Sequence, residues 1–327
     1  MSYGGSGDPG AQGLTARTEP YPVVAIVGPT ASGKSDLALA VAERFGGEVV
    51  NYDSVQVYRG FDIGTAKLPV EERRGIAHHA LDIVDPDEVF TAGDYARRGR
   101  ETLAEIRERG RLPVLAGGTG FYLRALLEGL FRGPERDAAL RQRLDRSAAR
   151  RPAGHLHRIL SRLDPASASR VHPNDTPKLV RAIEVCLLGK TPMSELLGQG
   201  REPLEGFRAI RVGLDPPRER LHQRIEQRAA RMFESGLIEE TKRLLENGVP
   251  RGARPFTALG YSEALALLDG RLSRAEAIEL TARMTRRYAK RQMTWFRREP
   301  GVEWFAGFGD EPALRQQVLA WVGAQLE

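Results

Sequence analysis

The chain has 327 residues, 41% hydrophobic and 28% charged, the balance of a soluble globular protein able to bury a sizeable core. A single cysteine, Cys186, excludes an intrachain disulfide framework and a multi-cysteine zinc site, and no run of about 18 apolar residues suggests a membrane-spanning helix. The formal net charge of +6, carried mostly by arginine, points to a solvated basic surface or, where the arginines cluster, to a polyanionic partner.

Residues 1–20 are rich in Gly, Ser and Pro and carry no basic-then-apolar leader pattern, so a disordered tail is expected. Apolar runs at 23–28, 48–52, 112–116 and 209–214 read as strands. Helical patterns at 34–44 and 94–109 lie between the first three. That alternation predicts an α/β fold with a parallel sheet. Residues 121–200 show helical periodicity without a convincing strand. Asp175 and Pro177 mark a helix start, and Leu179, Ile183 and Leu187 are expected on its apolar face. Further helices are expected at 217–234, 236–247, 260–268, 273–297 and 311–326. The predicted organisation is a core of 21–125 and 205–327 interrupted by a helical insertion at 126–204. Met232, Phe233, Met284 and Trp295 fall at apolar helical positions and read as core. The adjacent His78 and His79 face different ways in regular structure and make a poor metal site.

The stretch Gly28, Pro29, Thr30, Ala31, Ser32, Gly33, Lys34, Ser35 spells GxxxxGK[ST] between a predicted strand and a predicted helix. Such a loop turns its backbone amides inward on phosphate oxygens, the helix N-terminus adds positive potential, the lysine supplies a charge, and the serine hydroxyl can ligate Mg²⁺. A nucleoside triphosphatase would also carry a later strand ending in a Mg²⁺-linked aspartate. Here the strand at 112–116 runs into Gly117-Gly118-Thr119-Gly120, while the strand at 48–52 ends in Asp53, at the sheet edge where ligands bind. A phosphate cradle with one carboxylate nearby favours group transfer over hydrolysis.

Four more stretches, "NYDSVQVYRGFDIGTAK" (51–67), "LAGGTGFYLRALLEGL" (115–130), "HPNDTPKLVRAIEV" (172–185) and "ALGYSEAL" with "TRRYAKRQMTWFRR" (258–298), complete a pattern. Over residues 22–305 the chain resembles the bacterial tRNA dimethylallyltransferases. The resemblance implies a P-loop core and transfer of a dimethylallyl group from dimethylallyl diphosphate to N6 of the adenosine immediately 3′ of the anticodon. It also implies a cytoplasmic enzyme, expected to act as a monomer with Mg²⁺. Residues 28–35 would hold the diphosphate, with Lys34 and, by the family match, Arg228 stabilising its charge. Asp53 is the candidate general base, a role the family gives to the matching aspartate. The family's tRNA contacts map onto Asp53, Ser54, Val55, Gln56, Thr119, Arg141, Pro177, Lys178, Leu179, Val180, Arg181, Gly260 and Tyr261. The chain departs from the family pattern at Pro177-Lys178, where members can carry Gln-Arg, which places a side-chain contact at 177 in question. Arg141, Arg143, Arg146, Arg150 and Arg151, together with Arg283, Arg286, Arg287, Lys290, Arg291, Arg297 and Arg298, are candidates for phosphate contacts, about half of them expected to touch RNA. Three rivals remain open on the residues: a small-molecule kinase using the same loop, an adenylate isopentenyltransferase acting on free nucleotide, and a non-catalytic RNA-binding protein.

Overall fold

A computed structural model describes residues 19–327, so the expected tail lies outside the described residues but for its last two positions. Six strands, β1 (Tyr21–Val27), β2 (Gly47–Asn51), β3 (His78–His79), β4 (Leu112–Ala116), β5 (Phe207–Leu214) and β6 (Val302–Phe305), form one sheet in the order β3-β2-β4-β1-β5-β6. Every pairing is parallel. Between them run α1 (Lys34–Phe45), α2 (Ala92–Glu108), α3 (Gly120–Leu127), α4 (Ala138–Arg150), α5 (His155–Leu163), α6 (Pro165–Ala168), α7 (Thr176–Gly189), α8 (Met193–Gly198), α9 (Arg218–Glu234), α10 (Leu237–Glu246), α11 (Tyr261–Leu268), α12 (Arg274–Phe296) and α13 (Pro312–Leu326).

The central strand β1 shows why the sheet has two covered faces. Val23, Ala25 and Val27 enter one core with side chains of α2, α3 and α9–α12, while Val24 and Ile26 enter the other with α1 and α13. The two-residue repeat of a strand sends alternate side chains to opposite layers, and both layers are apolar because helices cover both faces. The four sequence-predicted strands are all present with ends shifted by up to two residues. The two edge strands, β3 and β6, were not anticipated.

Between β4 and β5 the described elements are all helices. Helices α4, α5 and α7 close a separate small core of Leu140, Leu144, Leu156, Leu160, Leu179 and Ile183. Helix α7 is capped by Asp175, whose side chain accepts from the Lys178 amide, with Pro177 in its first turn. Its buried residues are Leu179, Val180, Ala182, Ile183, Glu184, Val185 and Cys186, and Leu187, in the last turn, is 46% exposed, against expectation. Asp164 ties this unit together from the inside: buried, it accepts from the amides of Ser167 and Ser194 and from the Ser194 hydroxyl. Those bonds hold its carboxyl below its ordinary range against the opposing effect of burial.

Candidate active site

Three adjacent strands, β2, β4 and β1, deliver their carboxyl ends to one place. Strand β1 runs into the phosphate loop, β2 into Asp53, and β4 into Gly117-Gly118-Thr119. A cavity of about 510 Å³ opens there, lined by Lys34, Ser35, Asp53, Arg228, Tyr288 and Gln292 among others. A second chamber of about 310 Å³ adjoins it and shares Thr30, Asp53, Thr65, Arg228 and Tyr288. Its further walls include Ile225, Ala229 and Met232 of α9 and Leu259. A larger groove of about 760 Å³ lies elsewhere, between β3 and α2. There His79 bonds Glu48 at 2.7 Å and charges of both signs are mixed. The parallel-sheet edge is the better ligand site, because the phosphate loop opens there.

The phosphate loop is held from three sides. Gly33 has φ of 82°, and a β-carbon there would lie 2.8 Å from the Asp310 amide nitrogen, so only glycine fits. The Gly309 amide donates to Ser32 O at 2.9 Å. The Thr30 amide donates to Gln292 Oε1 at 2.8 Å, and Lys34 Nζ donates to Pro29 O at 2.7 Å. Arg224 crosses the ring of Phe308 at 3.7 Å and pairs with Asp310 at 2.7 Å, locking the loop after β6 against the cradle. Burial pushes the Lys34 ammonium down to about 7, the Arg228 cation adds to the depression, and Asp53 opposes both. Burial likewise lowers Arg228, again opposed by Asp53. The cavity gathers four cations, Lys34, Arg224, Arg228 and Arg231, against three carboxylates, Asp36, Asp53 and Asp310, an excess of positive charge that a polyanion would offset.

Asp53 is fixed by its own loop. Its Oδ1 accepts from the Val55 amide at 2.9 Å and the Gln56 amide at 3.4 Å. Its own amide donates to Asn51 Oδ1 at 3.0 Å, and Asn51 Nδ2 reaches Ala80 O at 3.0 Å. Its Oδ2 has no hydrogen bond among the described residues and faces Gly118, whose β-carbon, if added, would sit 2.8 Å from it. Thr119 holds the same loop from the far side: its Oγ1 accepts from the Ser54 amide at 3.0 Å and donates to Ser54 Oγ at 3.1 Å.

Lys34, Ser35, Asp53 and Arg228, all named from sequence, therefore surround one cavity. Several residues assigned to RNA stand otherwise. Leu179 and Val180 are 1% exposed inside the insertion core, and Tyr261 is fully buried, so their side chains are packing groups and do not reach a ligand surface. Tyr261 donates to buried Glu240, and its hydroxyl accepts from the Gly64 amide at 3.2 Å; Glu240 accepts from the Ile63 amide as well. Gly260 is buried beside it. Their motif thus braces the 61–66 segment, whose Gly64 and Thr65 line the chamber. The Gln56 carboxamide nitrogen donates to Thr65 O at 3.0 Å, closing the same segment from the other end. Arg141 and Arg181 converge on Glu184, which has no exposed surface, at 3.0 and 2.7 Å. Pro177 and Lys178 are exposed, with Lys178 paired to Asp175 at 2.5 Å. Of the expected core residues, Phe233 is buried; Met232, Met284 and Trp295 are half-buried, and Met232 lines the chamber.

On α12, Arg286 pairs with Glu226 and Arg283 with Glu279, and Arg297, the helix's C-cap, pairs with Asp215. Arg287, Lys290, Arg291 and Arg298 have no carboxylate partner among the described residues and are exposed. Arg287, Lys290 and Arg291 form one stripe by the i, i+3, i+4 spacing of a helix, and Arg298 lies in the turn that follows it. Sequence reading passed over Tyr288, Gln292 and Asp310, which lie in a basic helix or beyond the family pattern and are brought in only by the fold.

The fold and site define a P-loop α/β protein with an acid facing a phosphate cradle. A family model described as IPP transferase matches residues 56–299. Curated relatives include the tRNA dimethylallyltransferases of Solibacter usitatus, 57% identical over 91% of this chain and 97% of that protein, and of Koribacter versatilis, 57% identical over 88% and 94%. Among solved structures, the full-length tRNA isopentenylpyrophosphate transferase of Bacillus halodurans superposes with a TM-score of 0.69 at 38% identity, covering 94% of this chain and 97% of that one. A eukaryotic dimethylallyltransferase solved acting on tRNA gives 0.80 at 27% identity over 94% and 79%. The chain belongs to the IPP transferase family.

Proposed function

We propose that this protein transfers a dimethylallyl group from dimethylallyl diphosphate to N6 of the adenosine immediately 3′ of the anticodon in tRNA, releasing diphosphate. The observation that carries the reading is the open Oδ2 of Asp53, facing the cavity that Lys34 and Arg228 make cationic. The exocyclic amine of adenine is a weak nucleophile because its lone pair is shared with the ring. As N6 forms its bond to C1 of the dimethylallyl group, the bond from C1 to the diphosphate oxygen breaks and Asp53 Oδ2 takes the N6 proton. The growing charge on the leaving diphosphate is met by the amides of residues 31–35, by Lys34 and by Arg228. The adjoining chamber, with Ile225, Ala229, Met232 and Leu259 among its walls, offers the apolar surface that a dimethylallyl group would occupy.

The Ser35 hydroxyl, exposed in the first turn of α1 and lining the cavity, is the residue that would hold Mg²⁺. One hydroxyl joined by diphosphate oxygens and water suits this cation, which is seldom caged by protein groups alone. Bound there it would neutralise charge on the departing diphosphate. The adenosine must leave its stack to reach Asp53, and Ser54, Val55 and Gln56 border its approach. In this reading the insertion at 126–204 and the unpaired stripe on α12 grip the anticodon stem-loop through phosphates. Work on tRNA assigns the protein to the cytoplasm, and no described helix is long and apolar enough to cross a membrane.

The test is a transfer assay with Mg²⁺, labelled dimethylallyl diphosphate and an unmodified tRNA transcript carrying adenosines at the last anticodon position and its 3′ neighbour. AMP and ATP run in parallel. Label entering the tRNA, and lost when the target becomes guanosine, is the expected result. Label entering AMP or ATP would move the protein to the adenylate class, and ATP hydrolysis without label would assign the loop to ATP.

A further inference from the structure

We propose that Gln292 is a positioning residue for the transfer: its carboxamide ties the phosphate loop to the strand end beside Asp53, and so sets the separation between donor and base. This rests on the reading of residues 28–35 as the diphosphate cradle and of Asp53 as the base.

Gln292 comes from α12 and is 5% exposed. Its Oε1 accepts from the Thr30 amide at 2.8 Å, and its Nε2 donates to Gly118 O at 2.8 Å. The orientation of the carboxamide is fixed, since Thr30 presents only a donor and Gly118 only an acceptor. One turn earlier on the same helix face, Tyr288 donates its hydroxyl to the same Gly118 oxygen at 3.0 Å. A β-carbon on Gly118 would meet Asp53 Oδ2 at 2.8 Å and Gln292 Nε2 at 2.9 Å, so the open carboxylate oxygen and the carboxamide converge on one side of that glycine. Only a residue without a side chain lets them do so.

One side chain thus bridges the two backbones that carry the two halves of the chemistry. Thr30 belongs to the loop that would hold the leaving group, and Gly118 abuts the base. A buried carboxamide is tolerated only where both ends are bonded, and both are here. Neither loop contacts the other through a comparably placed polar group from α9, whose Arg228 reaches the cavity as a cation. The two ends of the carboxamide are therefore the fixed points between which an in-line displacement has to fit. Displacements of about 1 Å in such a geometry cost roughly a hundredfold in rate.

The test compares the full-length protein with Gln292→Leu and Gln292→Glu in steady-state transfer to tRNA, across the acid and neutral range, with thermal melts alongside. Leucine removes both bonds at similar volume. Its kcat should fall about tenfold to a hundredfold while KM for donor and tRNA stays within a few-fold. Glutamate keeps an acceptor for the Thr30 amide, loses the donor to Gly118 and sets a second carboxylate beside Asp53 Oδ2. Like charge disfavours the ionised base, so the acid limb of the kcat profile should move to higher pH. A kcat for Gln292→Leu within twofold of wild type would overturn the inference. So would a loss of activity that tracks lost thermal stability while the acid limb of Gln292→Glu stays in place. Absence of transfer by the wild-type chain would overturn the reading of the site, and this inference with it.

Discussion

The Asp53 carboxylate and the Val55 amide meet at 2.9 Å, and this contact divides the two carboxylate oxygens into one that is held and one that is open. Asn at position 53 would still accept from Val55 but could take no proton. Asp53→Asn should therefore keep the loop and lose the chemistry. Transfer is expected to fall by about 10²–10⁴-fold, the usual contribution of a positioned base, with tRNA affinity within a few-fold of wild type. Single-turnover rates and filter binding on the same preparation measure both, and undiminished transfer would remove Asp53 from the mechanism.

Lys34 links donor binding to pH. Its ammonium is lowered to about 7 by burial and by Arg228, so in the ligand-free protein it loses its proton as pH rises through that value. A bound diphosphate favours the charged form and raises it again. Binding of diphosphate above neutrality should therefore take up a proton at Lys34, and the uptake should fade as pH drops below about 6. Calorimetry in two buffers of different ionisation enthalpy reads this directly. In Lys34→Met this contribution should vanish.

Glu184 should prove structural. It is fully buried, accepts from the Asp137 amide at 2.9 Å and neutralises Arg141 and Arg181. Removing one partner of a buried ionic cluster strands the others, at a cost of about 3–5 kcal/mol. Glu184→Ala is expected to lower the unfolding free energy read from denaturant melts by that amount and to weaken tRNA binding through the insertion. Diphosphate affinity should be kept. A variant as stable as wild type would show that the two arginines find solvent or other partners.

The arginines of α12 should separate by their ion pairs. Lys290→Ala and Arg298→Ala each remove a cation without a carboxylate partner among the described residues, and each should reduce the slope of log K against log salt by about one. Arg286, held by Glu226 at 2.6 Å, should contribute less to that slope. Equal slopes for all three variants would mean that intramolecular pairing does not decide which cations meet phosphate.

Much of the layout is legible in the sequence. The strands β1, β2, β4 and β5 are apolar because both faces are covered, and a buried strand announces itself by that composition. Strands β3 and β6, two and four residues long, are too short to display a period and depend on β2 and β5 for their register. At the site, Lys34, Ser35 and Asp53 were readable because a phosphate loop has a fixed spacing and the acid follows the next strand directly. Gln292 was not, since a glutamine among arginines reads as a solvated helix face. It becomes part of the site only because the fold brings it beside Thr30, 262 positions away. Tyr261 differs in the opposite sense: carried over as a tRNA contact, its side chain is buried and braces Gly64, which lines the chamber.

The clasp of Gly309 on Ser32 also bears on how the protein is made. The loop that would grip the substrate is made early, yet its backing strand β5 lies about 180 residues later and its clasp nearly 280. Through most of synthesis a nascent chain therefore carries the phosphate-loop sequence without the contacts that close it, which exist only once the segment around Asp310 has been made.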